Sequence, residues 1–332
     1  MHGIVHIIEF DEEGVLMQYF MTDFSKVKTY PLKERNNKMV MSRDAARPVS
    51  AGMGLGELLA AMPFQLGAES LNRIIDAVVA AREKGKPVVM AMGGHVIKCG
   101  LQPVLKSLVD ADVVTAFAMN GSGSIHDYEL SLIGETSEDV GAVLHCGTFG
   151  MAEETGRDMN RALSDGVAAG YGYGAAIGRF ILQNNNPFKD YSLLALCADR
   201  GIPLTVHVAI GNDIIHQHPA ANGAVIGEAS FRDFRLFTTI VSELGDGGVY
   251  LNIGSAVIMP EVFLKALSIA QNLGHHVDNF TTANFDMQQH YRPLQNVVKR
   301  PTSGKSQGYT VTGHHEIMIP LLAAGILDRI GS

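Results

Sequence analysis

From Glu69 onwards apolar residues recur at Leu71, Ile74, Ile75, Val78 and Val79, the three-and-four spacing of one helix face. Gly85 stands where such a helix stops. Pro87 then opens the unbroken apolar run Val88–Met92, followed by Gly93, Gly94 and a second helical pattern from about Val96 to Val109. The unit returns: an apolar run at 112–119, a small-residue turn at 120–124, and an amphipathic stretch over 125–134. Helix-then-strand patterns follow, with strands expected at 203–210, 248–253 and 276–282. Strands that read as continuous apolar runs, rather than alternating, belong to parallel sheets covered on both faces. The alternation therefore predicts an α/β chain with a Rossmann-like, doubly wound, mainly parallel sheet. The stretch 157–183 reads as one helix rich in small residues. Its glycines at 170, 172, 174 and 178 do not form G-x-G-x-x-G and follow no strand, so close helix packing is the reading.

Residues 1–50 differ in pattern. A β-rich opening precedes the polar segment Lys26–Lys38, which contains Pro31 and suits no buried element. The expected organisation is an N-terminal extension over 1–50, packing on a single α/β nucleotide-binding domain over 51–332. Composition narrows the function. Twenty-six Lys and Arg against 34 Asp and Glu leave a net charge of −8, which excludes a general nucleic-acid binder. Apolar runs are strand-length and the N-terminus shows no basic start before a long apolar run, so neither a membrane span nor a signal peptide is expected. Cys99, Cys146 and Cys197 are scattered and odd in number, which fits a reducing, cytoplasmic setting.

Ligands of such sheets gather beyond the carboxyl ends of the strands. The loops to read are therefore Gly93–Gly100, Asn120–Asp127, Gly211–Pro219, Gly254–Pro260 and 284–313. In the first, Gly94 lets the backbone approach a phosphate, and His95 and Lys98 follow, the lysine able to neutralise it. The second joins Gly121, Gly123 and Ser124 to the acid Asp127 near a helix start; a capping turn would by itself account for Ser124 or Asp127. Two such loops on successive strands point to a nucleotide. Thirteen histidines include His216 and His218, spaced to share a face of an extended segment, yet no H-E-x-x-H or paired C-x-x-C completes a ligand set, and no metal is assigned. Ser303-Gly304-Lys305-Ser306 has the ending of a P-loop, but Lys299 stands where its first glycine belongs. A G-x-S-x-G elbow is missing as well.

Several of these segments, in this order, resemble deoxyhypusine synthase and the related homospermidine synthases. The likeness runs from about residue 70 onwards: the strand, glycine turn and acid-bearing helix of 113–134, the helix, strand and acidic loop of 192–218, the strand and glycine turn of 247–257, and the Gly-Lys pair with its Pro-Leu-Leu helix in 303–327. The resemblance implies NAD as cofactor, bound around Gly94, His95, Lys98, Gly121, Gly123, Ser124, Gly254 and Ser255, and a homo-oligomer, tetramer or dimer, with sites at subunit interfaces. It further implies aminobutyl transfer from a polyamine: Lys305 matches the imine-forming lysine, Asp213 the acid facing the amine, and Asp127 the acid of the glycine-turn loop. The chemistry is coherent, since a deprotonated lysine attacks an imine carbon and carboxylates suit a cationic amine. The sequence departs from the family in two places. No histidine occurs between Gly254 and Glu261, leaving Glu261 or one of His314 and His315 as stand-ins, and Ser303 occupies the position of the family's tryptophan. The alternative reading is a noncatalytic or regulatory nucleotide-binding protein of the same fold.

Overall fold

The computed structural model describes residues 7–10, 16–19 and 22–331. The chain divides into two compact units, Met1–Asp44 and Ala45–Ser332. In the first, β1 (Ile7–Phe10) pairs antiparallel with β2 (Leu16–Tyr19). Short turns follow, and the unit ends at Asp44, whose buried carboxylate accepts from the Val40 N–H and the Arg43 guanidinium.

The second unit is built on six strands: β3 (Val88–Met92), β4 (Ala116–Asn120), β5 (Leu204–His207), β6 (Val249–Ile253), β7 (Thr281–Asp286) and β8 (Gln307–Thr312). Every neighbouring pair is parallel, in the order β5-β4-β3-β6-β7-β8. Strand order reverses between β3 and β6, the topological switch point of a Rossmann-like, doubly wound sheet. Alternating side chains enter different cores: Met90, Met92, Phe117, Met119 and Leu251 join one cluster, and Val89, Ala91, Ala118 and Tyr250 the other. On the second face Tyr250 stacks on Phe263 at 3.8 Å between ring centroids. Both faces are thus covered, which is why these strands read as apolar throughout.

The helices that matter for the site are α1 (Leu66–Glu83), α2 (Gly94–Lys98), α3 (Gln102–Asp110), α4 (Gly121–Ile133), α5 (Glu153–Ala168), α6 (Tyr173–Gln183), α7 (Leu193–Arg200), α8 (Gly223–Ser242), α9 (Ile258–Asn272) and α10 (His315–Gly331). α1 buries Leu71, Ile74, Ile75 and Val78, the stripe its spacing predicts. Four expectations differ from the structure, the first being the strand expected at 276–282, which lies at Thr281–Asp286. The pattern at 96–109 is split, because Gly100 adopts φ +69° between α2 and α3. The small-residue stretch 157–183 is two helices, with Gly170 at φ +88° in the turn between them. The last long loop contains β8, an edge strand too polar to show as an apolar run. Among the described residues no helix is long and apolar enough to cross a membrane.

Candidate functional site at the carboxyl edge

At the switch point, backbone meets backbone. The Gly93 N–H donates to the Ile253 carbonyl at 3.0 Å, and a side chain on Gly93 would run into the Gly254 carbonyl. Gly254 sits at φ +63°, in the left-handed region, with the His315 imidazole closing on it. His315 opens α10, is buried, and its Nδ1 has no hydrogen-bond partner. Burial holds its pKa below the usual histidine range. The exposed His95 ring lies 5.8 Å from it, centroid to centroid. Beneath them Asn252 donates to the Ser255 carbonyl at 2.9 Å and to Asn284 Oδ1 at 2.7 Å, while its own Oδ1 is buried and unpartnered. The Ser255 hydroxyl accepts from the Met259 N–H and secures the start of α9.

Beside this crevice the loops after β3, β4 and β5 converge. Asn120 caps α4 by accepting from the Gly123 N–H at 3.2 Å. Gly94 packs against the Ser122 hydroxyl and the His126 ring, and Gly121 packs against the Asp213 carboxylate, at distances that leave no room for a Cβ. A cleft of about 930 Å³ opens here. Its walls carry five carboxylates, Glu129, Glu135, Glu138, Glu154 and Asp213, against one lysine, Lys98. Asp213 is only 6% exposed, its Oδ2 has no partner, and burial raises its pKa to about 6. His216 lies close, with Nε2 3.9 Å from Asp213 Oδ2 and likewise unpartnered. Its Nδ1 accepts from the Gly211 and Asp213 N–H groups, so the ring proton belongs on Nε2. His218 turns instead towards Glu153, at 3.6 Å, so the two histidines do not form a pair.

On the opposite wall, Thr136 Oγ1 donates to Glu129 Oε2 at 2.5 Å and lies 2.8 Å from His126 Nδ1. Thr155 donates to the other oxygen of Glu129 at 3.1 Å. Thr136 has one proton and gives it to the carboxylate, so its oxygen accepts from Nδ1–H, leaving Nε2 of His126 as a bare acceptor. Burial, reinforced by Lys98, pushes the His126 pKa down to about 4, and the ring is neutral at pH 7.

The structure therefore gathers Gly94, Lys98, Gly121 and Asp213 around the cleft, and His95, Gly254 and Ser255 around the crevice. Other expected site residues are elsewhere. Asp127 is fully buried and accepts from the Ser192 hydroxyl at 2.5 Å, the Leu193 N–H at 2.8 Å and the Leu194 N–H at 3.0 Å. Both oxygens are occupied, so Asp127 ties α4 to the start of α7 and cannot serve as a catalytic acid. Ser124 is buried with its hydroxyl donating to the Gly121 carbonyl at 2.7 Å, and Gly123 packs on Met119; neither faces a ligand space. Lys305 is exposed on the turn that enters β8, beside Ser306, which accepts from the Phe280 N–H just ahead of β7. That is the amino edge of the sheet. Six residues of β8 separate Lys305 from the carboxyl edge, about 20 Å of extended chain. His126, Thr136, Glu129 and Asn252 were not expected at the site. His126 lies inside the glycine-turn loop, but its meeting with Thr136 depends on Gly134 reversing the chain at φ +74°, which no periodicity records.

Comparison with known proteins places the fold. No protein-family model and no curated protein matches the chain. Among solved structures, a candidate LOR/SDH protein from Methanococcus maripaludis matches with a TM-score of 0.52 at 16% identity, covering 81% of this chain and 71% of that one. AgrE, solved in a ternary complex with ornithine and NAD+, matches with a TM-score of 0.49 at 14% identity, over 81% of this chain and 35% of AgrE. A candidate deoxyhypusine synthase from Entamoeba histolytica matches with a TM-score of 0.48 at 11% identity, over 82% of this chain and 93% of that one. The chain shares the fold of the LOR/SDH protein.

Proposed function

We propose that the chain binds NAD in the crevice between β3 and β6 and acts on a cationic amine held in the adjoining acidic cleft. The observation that carries this reading is the switch point itself. Glycine backbones meet there, Gly93 against the Gly254 carbonyl with the His315 imidazole packed on Gly254, so a dinucleotide can lie against main chain. The unpartnered Oδ1 of Asn252 and Nδ1 of His315 supply polar groups beneath it. Bound there, NAD supplies hydride acceptance from the carbon that bears the amine and return of that hydride.

The protein's own groups do the rest. Asp213, ionised above about pH 6, faces the ammonium, and the surrounding glutamates make the cleft hostile to anions. His315, packed on the Gly254 turn, and His95 beside it are the imidazoles available to take a proton at the crevice. The finer reading is aminobutyl transfer through a lysine imine at Lys305. Because Lys305 stands at the amino edge, this transfer needs the Lys305 of a second copy at the crevice of the first, in a homo-oligomer. Borohydride reduction in the presence of NAD and 1,4-diaminobutane tests it: a covalent adduct at Lys305 supports the transfer, and an adduct at another lysine assigns that residue instead. Saturable binding of NAD in preference to ATP, by calorimetric titration, tests the cofactor; equal binding of the two would leave a general nucleotide site.

A further inference from the structure

Within the cleft one imidazole is prepared for a single task. His126 Nδ1 is tied to Thr136, and Thr136 to Glu129, whose second oxygen is held by Thr155. The chain of bonds runs in one direction only: a carboxylate accepts from a hydroxyl, and that hydroxyl accepts from the ring N–H. The ring is thereby locked as the Nδ1–H tautomer, and Nε2 has no hydrogen-bond partner among the described residues. His126 lines the cleft, and its Cδ2 packs against Gly94. Asp213 lines the same cleft, and its buried Oδ2, packed on Gly121, has no hydrogen-bond partner. Two acceptor atoms without a hydrogen bond, one neutral and one anionic, thus belong to residues that line one cleft, with the Nε2–H of His216 3.9 Å from Asp213 Oδ2 and Lys98 on the same walls.

We propose that His126 is the residue that recognises the substrate's amine: Nε2 accepts an N–H from the ammonium while Asp213 balances its charge. The inference rests on the reading of the cleft as an amine site and adds to it the recognition element. A neutral acceptor suits this task for a physical reason. It binds any group that presents N–H, and it leaves an acceptor-only group of the same shape with two lone pairs facing each other. Glu129 and Thr136 do not touch the ligand; they are positioning residues that fix which nitrogen is bare.

Nitrogen NMR of the ligand-free protein, labelled at histidine, reads the tautomer directly. The expected signature is Nδ1–H with unprotonated Nε2 for His126, converting to a mixture in Thr136→Val. An Nε2–H signature in the wild type overturns the inference, whatever the protein binds. Calorimetric titration with 1,4-diaminobutane in the presence of NAD supplies the second readout. His126→Phe is expected to lose amine affinity by about tenfold to a hundredfold, with NAD affinity unchanged. His126→Gln, which sets an amide oxygen near the place of Nε2, recovers most of it, and Thr136→Val falls between. Unchanged amine affinity in His126→Phe overturns the recognition role while leaving the amine site in place. Absence of diamine binding by the wild type overturns both.

Discussion

The surroundings of Asp127 and Asp213 show how similar electrostatics can serve different ends. Both carboxylates are buried, and burial raises both to about pKa 6. Asp127 is answered by a hydroxyl and two backbone N–H groups, whereas Asp213, which lines the cleft, has a buried oxygen with no hydrogen-bond partner. A raised carboxylate pKa therefore does not identify a site by itself. The unsatisfied oxygen does, because a buried acceptor left without a donor is costly unless a ligand completes it.

The largest effect expected from this contrast is at Asp127. Asp127→Ala orphans three donors at the start of α7 and should cost more than about 3 kcal/mol of unfolding free energy, read by denaturant titration. A loss below about 1 kcal/mol would break the contrast. Asp213→Asn should do the opposite. It removes a charge that is costly to bury, so stability at neutral pH rises by about 1–3 kcal/mol, while amine affinity falls at least tenfold and NAD affinity does not.

The pH dependence sharpens the same point. Asp213 has a folded pKa of about 6, above its ordinary value of 3.8, so the folded state binds more protons than the unfolded state between those values. Its contribution to stability is greatest below pH 3.8 and is lost as pH rises through about 6. Amine affinity runs the other way and strengthens as pH rises through about 6; this step should vanish in Asp213→Asn. A step that survives the substitution would assign it to another group. Gly121→Ala is expected to displace the Asp213 carboxylate, since the added Cβ lands on it. Amine affinity should then drop about as far as in Asp213→Asn, and a full-affinity variant would place the amine elsewhere. The smallest effect is at Lys305, exposed on its turn: Lys305→Ala should change stability by less than about 0.5 kcal/mol and leave NAD binding intact, yet abolish the borohydride-trapped adduct.

The parallel sheet was legible wherever strands are buried on both faces, as in Val88–Met92 and Val249–Ile253, because burial demands apolar runs. It was misread where buried positions are polar and hydrogen-bonded. In β7, Thr282 donates to the Val297 carbonyl and Asn284 joins Asn252, so the strand lies at 281–286 instead of 276–282. β8 has an edge strand's mixed surface and left no apolar trace. Missing β8 hid which edge of the sheet carries Lys305. The glycine turns of the site were legible, since a backbone carbonyl closes on Gly93 and the Asp213 carboxylate closes on Gly121. The direction of side chains within those turns was not. Asp127 and His126 are adjacent in sequence, and only the packing of α4 sends one to α7 and the other to the cleft.

In the proposed function one carboxyl-edge site holds both the dinucleotide and the amine. A crystal structure of the protein grown with NAD and 1,4-diaminobutane measures this most directly. The pyrophosphate is expected against the Gly93–Gly94 and Gly254 turns, and the diamine between Asp213 and His126. A dinucleotide bound away from the β3–β6 crevice, or a diamine found outside the cleft, would contradict it.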